Sequence, residues 1–564
     1  MMLQCGGSGG TAGDGAGDGG GGDDATIGQG DSGGGGEGGA GDDTGVVPPG
    51  DDGSNGDDSS TPPPVGASVL QFHNHANRDG QFVDDKLTAT NAAKMVLDAT
   101  FKPTLDGNVY AQPLYVENGP GGKGLFIAVT ENNNVYGIDE TGTQVWMTNV
   151  GSPASSAEGC GNIKPLGITG TPVVDLVHRA VYLDAARPGE ASSTMAEHEI
   201  HALSIDTGLE VKTVSGWPVH TSELSYKGTA FNPRPQNERG ALLIVNNALY
   251  VPYGGHAGDC ADASGHFYKG WVVGVPLDNP KGTTAWATDS DEGGIWSVGG
   301  MVSDGTSIFA STGNAGGGQT CPQGTPTSPP PGWKQQEALI RFQAGPVWSA
   351  QTTDYFAPID WGCLDNADKD LGGSSPVLVD LKSGSTPHLV VGLGKDGKMY
   401  LVDRTNLGGV GTDVATATIM SGEIKMAPIT YTTAQGTYVV SYGSGGATGT
   451  MCPQGESGTL VAMKIVPGSP PTIAPGWCMD AGGEGSPIFT TSDTLGSDPL
   501  VWSLGAESSN QLHAWNADTG VVAFGGGGGA NSVSGYRHFS TILVANGRVL
   551  AGADKTIYAF KVGP

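Results

Sequence analysis

The sequence predicts an all-β chain: a single β-propeller of four-stranded blades, eight in number, with seven as the alternative. Three observations carry this reading. A hairpin recurs along the chain, the stretches between copies read as short strands and Gly/Asn/Asp turns with almost no helical periodicity, and strand-initiating phrases return about every 50–80 residues. The clearest hairpin, Val135 to Trp146, has an apolar strand (Val135, Tyr136, Ile138), an Asp-x-x-Gly turn from Asp139 to Gly142, and a second strand ending in Trp146. It returns at Ile200–Val211 and Leu512–Phe524, and more loosely at Met399–Thr405.

Eight unit starts align by eye, beginning at Val109, Ile168, Gly240, Ile295, Gly373, Lys425, Gly485 and His538. Their spacing suits a four-stranded blade plus loops. The last unit supplies only three strands, Ser540–Val544, Arg548–Ala551 and Ile557–Lys561. Lys94–Phe101 is the natural fourth, so strands from both ends of the chain close the ring and remove its free edges. Ahead of it, residues 67–93 form a lead-in with a short helix expected around Asn91–Met95; the propeller proper spans 94–564.

Composition separates the start of the chain from the rest. Of the first 60 residues, 24 are Gly and 12 are Asp or Glu, with no Lys or Arg. Such a segment cannot bury enough apolar surface to offset its ordering entropy, so residues 1–66 read as a disordered Gly/Asp-rich tether. The remainder keeps 45 acids against 27 bases within a total formal charge of −30. A chain this acidic repels phosphate backbones, which argues against nucleic-acid binding. Met1–Gln4 ahead of Cys5-Gly-Gly-Ser resembles the end of a bacterial lipoprotein signal, with Cys5 as the lipidated residue. Only four residues precede it, without a basic or apolar run, so a free thiol on a tether is the alternative. No other run is apolar enough to span a membrane.

Cys160, Cys260, Cys321, Cys363, Cys452 and Cys478 remain. An even number without a Cys-x-x-Cys pair fits three disulfides in an oxidising compartment, hence an exported protein. In alternating blades the loops between second and third strands share a face with those leading to the next blade, and all six cysteines fall on these loops. The repeated Cys-Pro-Gln-Gly spacing pairs Cys321 with Cys363 and Cys452 with Cys478, and elimination leaves Cys160 with Cys260. The insertions 254–268 and 316–332 lie on the same face, where binding sites usually sit.

The Ala/Tyr-x-Asp-x-x-Thr-Gly-x-x-x-Trp pattern at Tyr136–Trp146 resembles the tryptophan-docking repeat of PQQ-like (quinoprotein alcohol dehydrogenase-like) β-propellers. Gly107–Val116, Gly167–Pro172, Gln236–Leu243, Gly293–Trp296 and Gly394–Arg404 are similar to phrases of exported bacterial members. The likeness runs over roughly residues 70 to 564 and implies the fold. The group spans catalytic and non-catalytic members, so no cofactor is certain; PQQ and Ca²⁺ are those its classical enzymes use, with an Asp base and a disulfide of adjacent cysteines over the quinone. This sequence has no adjacent cysteines.

Innermost strands line the channel, so their polar residues are the ligand candidates: Gln112, Thr171, Arg239, Trp296, Ser374, Lys425, Glu484 and His538. The competing reading is that they satisfy one another and ordered water. Trp296, between two Gly-Gly pairs, could floor a planar ligand or pack the channel wall. Trp146, Trp271, Trp286, Trp348, Trp361, Trp477 and Trp515 read as wedges between blades. Asp365, Asp368 and Asp370 could hold Ca²⁺ but lack the full calcium-loop spacing, so a solvated acidic loop competes. His256, His266 and Asp360 decorate the same face, and His73-x-His75 reads as surface or packing rather than a metal site.

No nucleophile elbow, P-loop or dinucleotide fingerprint occurs in a suitable context. The function expected is a cell-envelope binding or assembly platform, monomeric, taking an envelope protein or a small-molecule or saccharide ligand. The alternatives are a PQQ-dependent dehydrogenase of an alcohol or sugar, and a polysaccharide lyase or hydrolase using Glu484, His538 and Arg239.

Overall fold

The computed structural model describes residues 68–564 except 191–192, 317–320, 322–325 and 327. The tether, Cys5 and part of the 316–332 insertion lie outside the described residues. Eight four-stranded antiparallel blades follow one another along the chain. Their innermost strands are Leu114–Val116, Val173–Asp175, Leu243–Val245, Val302–Ser303, Val377–Asp380, Ile429–Thr433, Ile488–Thr491 and Ile542–Ala545.

Sequence pattern sets each strand's place. Second strands such as Leu125–Val129 in blade 1 are buried throughout, because neighbouring blades cover both faces. The outermost strand Gln144–Asn149 buries only Trp146 and alternates as a half-covered strand should. Blade 8 takes Arg548–Ala553 and Thr556–Val562 from the C-terminal end and Met95–Leu97 from the N-terminal end, with Leu97 opposite Phe560. The expected ring closure is thus present. The helix is earlier and shorter than expected, Ala89–Ala92, because Thr88 caps it through Asn91 and Met95 already belongs to the closing strand.

The recurring hairpin is a docking device. Asp139 Oδ1 accepts from the amides of Thr141 and Thr143, each at 2.9 Å, and Gly142 takes a φ of +90° to complete the turn. Trp146 lies over Gly137 and against Gly208 of blade 2, and its Nε1 donates to Ile205 O at 2.9 Å. A Cβ on Gly208 would meet the ring at 2.5 Å. Blade 6 repeats the arrangement: Trp477 Nε1 donates to Ala517 O at 2.7 Å beside Gly520.

The lead-in is built into the ring. Val69 pairs with Tyr115 of blade 1, and Leu70 O accepts from Val174 of blade 2 at 2.8 Å. Arg78 reaches Leu242 O at the start of blade 3, and Ala76 O accepts from Ser303 of blade 4 at 2.8 Å. Asn77 O meets Leu378 of blade 5 and Asp79 O meets Thr430 of blade 6. Gln81–Val83 runs parallel to the innermost strand of blade 7, and Asp84 accepts from Gly547 of blade 8. Sixteen residues therefore visit all eight blades. Arg78, 1 % exposed, fastens the segment through five bonds, to Gln71 Oε1 and the carbonyls of Phe72, Leu242, Gly299 and Met301.

Candidate functional site

The three disulfides form as expected, but not all of their cysteines lie on loops: Cys363 sits in the short helix Trp361–Asn366, and Cys478 sits in the outermost strand of blade 6, Thr472–Met479, paired with Val461. Cys160 joins Cys260 between blades, Cys321 joins Cys363, and Cys452 joins Cys478 within blade 6, with Cα–Cα distances of 5.7, 4.7 and 5.7 Å. At the channel mouth lies a pocket of about 20 Å³, room for one or two waters, lined in part by Tyr110, Thr169, Thr171, Arg239, His538 and Phe539. These residues immediately precede innermost strands of blades 1, 2, 3 and 8. The lead-in meets the inner strands beyond them and closes the channel below.

Floor and wall are joined by hydrogen bonds. The His73 amide donates to Gln112 Oε1 at 3.0 Å, and the Gln112 amide donates to Thr171 Oγ1 at 2.9 Å. His73 is fully buried and burial pushes it down to about 3, so it is a neutral packing residue. His75 pairs with Asp79 at 2.8 Å. On the wall, Thr169 donates to Glu131 Oε1 at 2.9 Å, and Glu131 Oε2 accepts from Gly167 N at 2.6 Å. Burial pushes Glu131 up to about 7 despite these bonds. Behind Gly170, Glu238 is buried and raised well above the carboxylate range, chiefly by burial and then by the charge of Asp184. A Cβ at Gly170 would lie 2.1 Å from its Oε1, which is why glycine stands there.

Arg239 is the centre of the mouth. Its Nε donates to Trp296 O at 3.2 Å, and its guanidinium lies 5.0 Å from the Trp296 ring centre and 4.2 Å from that of Phe539. Nη2 is buried without a partner. Phe539 has a φ of +70°, a conformation a bulky side chain seldom takes. His538 pairs through Nδ1 with Glu507 at 2.6 Å.

The eight channel candidates do not converge on one point. Thr171, Arg239 and His538 line the pocket, while Gln112 supports it from behind. Trp296 touches Arg239 on its way toward blade 4 and lies 5.4 Å from Lys395 Nζ. Ser374 is buried and donates to Met426 O at 2.7 Å, Lys425 pairs with Glu423 at 3.2 Å, and neither they nor Glu484 lines the pocket. The mouth also uses Tyr110, Thr169 and Phe539, which the sequence analysis passed over. Phe539 adjoins His538 in the phrase His538-Phe-Ser-Thr, the signal available for it.

Lys395 occupies the acidic loop. Its ammonium pairs with Asp368 at 2.8 Å and with Asp370 Oδ2, and Asp370 Oδ1 accepts from Asn314 N at 2.7 Å. Asp365 accepts from Ala315 N, and burial, then the charge of Asp370, pushes it up to about 6. Among the described residues no group of three His, Cys, Asp or Glu side chains is arranged to hold a metal ion. Elsewhere on this face Asp360 pairs with Lys398 at 3.1 Å and His266 with Asp262 at 3.2 Å, while burial pushes His256 down to about 3. Asp184, His198 and Tyr253 form a buried trio, with His198 Nδ1 2.6 Å and the Tyr253 hydroxyl 2.8 Å from Asp184.

A tricyclic quinone with its calcium does not fit these residues. The pocket is more than tenfold smaller than the roughly 300 Å³ at which small-molecule sites begin. Trp296 already has two cations within about 5.5 Å of its ring centre, and of the candidate calcium carboxylates Asp368 and Asp370 are already paired with Lys395.

Neither a family model nor a curated protein matches the chain. Solved structures do. Quinohemoprotein alcohol dehydrogenase from Comamonas testosteroni is similar with a TM-score of 0.56 at 14 % identity, over 88 % of this chain and 80 % of that one. Quinohemoprotein alcohol dehydrogenase ADHIIG from Pseudomonas putida HK5 gives 0.54 at 12 %, over 88 % and 81 %. A europium-containing methanol dehydrogenase gives 0.55 at 12 %, over 88 % and 98 %. At these identities the likeness speaks for the fold alone: the chain is an eight-bladed β-propeller, similar in fold to these quinoprotein dehydrogenases.

Proposed function

We propose that this propeller is a cell-envelope binding platform rather than a catalyst. In this reading residues 1–66 are the tether, 67–93 the lead-in and 94–564 the propeller, with a lipid anchor at Cys5. One observation carries it. The lead-in closes one end of the channel and leaves a shallow pocket at the other, on a face stapled by three disulfides. A rigid scaffold with a one-ended pocket and long loops suits recognition of a small molecule, a saccharide or the exposed segment of an envelope protein. Three disulfides fit an oxidising, exported setting, and among the described residues no helix is long and apolar enough to cross a membrane.

The second reading, PQQ-dependent oxidation of an alcohol or sugar with Ca²⁺, draws on the names of the structural neighbours. The size of the pocket and the Lys395 pairings weigh against it. The lyase or hydrolase reading keeps Arg239 and His538 in one pocket, with Glu484 outside its lining. The deciding experiment adds PQQ and Ca²⁺ to the purified protein and follows quinone absorbance and dye reduction with alcohols and sugars. The platform predicts neither saturable quinone binding nor dye reduction. Saturable binding lost in Trp296→Ala, with turnover, overturns it. Mass spectrometry of the envelope fraction tests the anchor: a diacylglyceryl mass on the Cys5 peptide is expected, and an unmodified N-terminus in a soluble protein refutes it.

A further inference from the structure

Most arginines of the ring meet a carboxylate, and Arg239, like Arg548 with its single bond to Glu140 O, does not. Arg341 pairs with Asp354, Arg179 with Asp206, and Arg537 with Asp554. Arg78, more deeply buried, spends its donors on carbonyls and a side-chain amide oxygen. Arg239 has one hydrogen bond, to Trp296 O, and a buried Nη2 with no acceptor. Among the described residues no carboxylate lies within ion-pair distance of it. Glu131, a buried acid on the wall, accepts from Thr169 and Gly167.

The surroundings hold the guanidinium in place. Trp296 and Phe539 give it aromatic neighbours at 5.0 and 4.2 Å, and Phe539 reaches its position through a backbone φ of +70°. A planar fork fixed in this way presents parallel N–H donors, the geometry that matches a planar carboxylate bidentately. The adjoining cavity of about 20 Å³ suits a group the size of a carboxylate rather than a whole ring. Thr171 and Tyr110 supply further hydroxyls on its wall.

We propose that the channel mouth is a carboxylate-binding pocket, in which Arg239 takes the single carboxylate of a small organic acid whose remaining atoms lie on the stapled face. This rests on the reading of the mouth as a binding pocket and adds the charge of its ligand. Burial pulls Arg239 down to about 10, so the guanidinium stays charged at neutral pH.

The test is isothermal titration of the full chain with glucuronate, with glucose as its uncharged counterpart, and with acetate as the carboxylate alone. Saturable, salt-sensitive binding is expected for glucuronate, weaker binding for acetate and none for glucose. Arg239→Gln should weaken glucuronate at least tenfold, and Arg239→Lys less. Equal binding of glucose and glucuronate, no binding of either acid, or unchanged affinity in a folded Arg239→Gln protein overturns the proposal. A second measurement needs no variant: glucuronate should protect Arg239 from phenylglyoxal, read by peptide mass, and glucose should not. Equal modification in both also overturns it. Glucose binding without acid selectivity would leave the platform standing and remove only the charge assignment, whereas dye reduction with PQQ would remove the platform itself.

Discussion

Replacing Arg78 by Met tests whether the lead-in fastens the ring. The substitution keeps an unbranched apolar stem in a fully buried position but removes the donors to five acceptors, four of them main-chain carbonyls. Hydrogen bonds to a charged group contribute about 1.5–3 kcal/mol each. Release of the cost of burying the guanidinium and relaxation of some carbonyls toward water offset more than half of the sum, leaving a loss of about 4 kcal/mol. Unfolding entropy of about 2 cal/mol/K per residue over roughly 490 residues comes to about 1 kcal/mol/K, so the Tm should fall by about 4 °C. Calorimetry reads this directly. Hydrogen exchange should show the amides of Val69–Asp84 losing protection before those of the blades. A fall under 1 °C with unchanged protection refutes the claim that Arg78 holds the segment.

The docking of blade 1 on blade 2 predicts a coupled pair. Gly208→Ala, at φ +72° and with its Cβ 2.5 Å from Trp146, should cost about 2–3 kcal/mol, and Trp146→Ala about 3–5 kcal/mol, but together clearly less than the sum; strict additivity in urea melts counts against it. Glu131 titrates near 7 folded against about 4.3 unfolded, so the folded state holds the extra proton in that window and stability falls as pH rises through it. Glu131→Gln should flatten the wild-type slope between these values, by up to about 3 kcal/mol at its upper end, in urea melts at stepped pH. Reduction of the disulfides should lower stability by about 3–5 kcal/mol per bond, the 100-residue Cys160–Cys260 loop contributing most; an unchanged Tm in reductant refutes a structural role for them.

What the sequence displays well is what repeats. Asp139, Gly142 and Trp146 recur with one geometry because every blade solves the same packing problem. Blade count follows from the eight regularly spaced unit starts, and ring closure from a last unit with only three strands. The lead-in was far less legible. Phe72, His73 and Arg78 have no strand periodicity, and their partners are main-chain carbonyls and side-chain oxygens scattered from Gln71 to Thr541. The mouth was half legible for a related reason. Arg239 and His538 stand out as polar residues at unit starts, though they lie just ahead of the inner strands Leu243–Val245 and Ile542–Ala545 rather than in them; Phe539 owes its role to a left-handed backbone, and Lys395 takes its carboxylates across a loop. Neither leaves a spacing that a reader of sequence can score.

The order in which the lead-in finds its partners runs against the order of synthesis. Val69–Asp84 precedes every blade in the chain, yet its last contact, Gly547, lies near the other end. A growing or translocating chain can pair adjacent blades as they appear, since each contacts mainly its neighbour. The segment must wait until the last blade exists, and its contacts to blade 8 then span more than 450 residues, as those of the closing strand do. Val69–Asp84 thus acts as an assembly checkpoint: full satisfaction of its buried groups reports that the last blade has been made and the circle has shut.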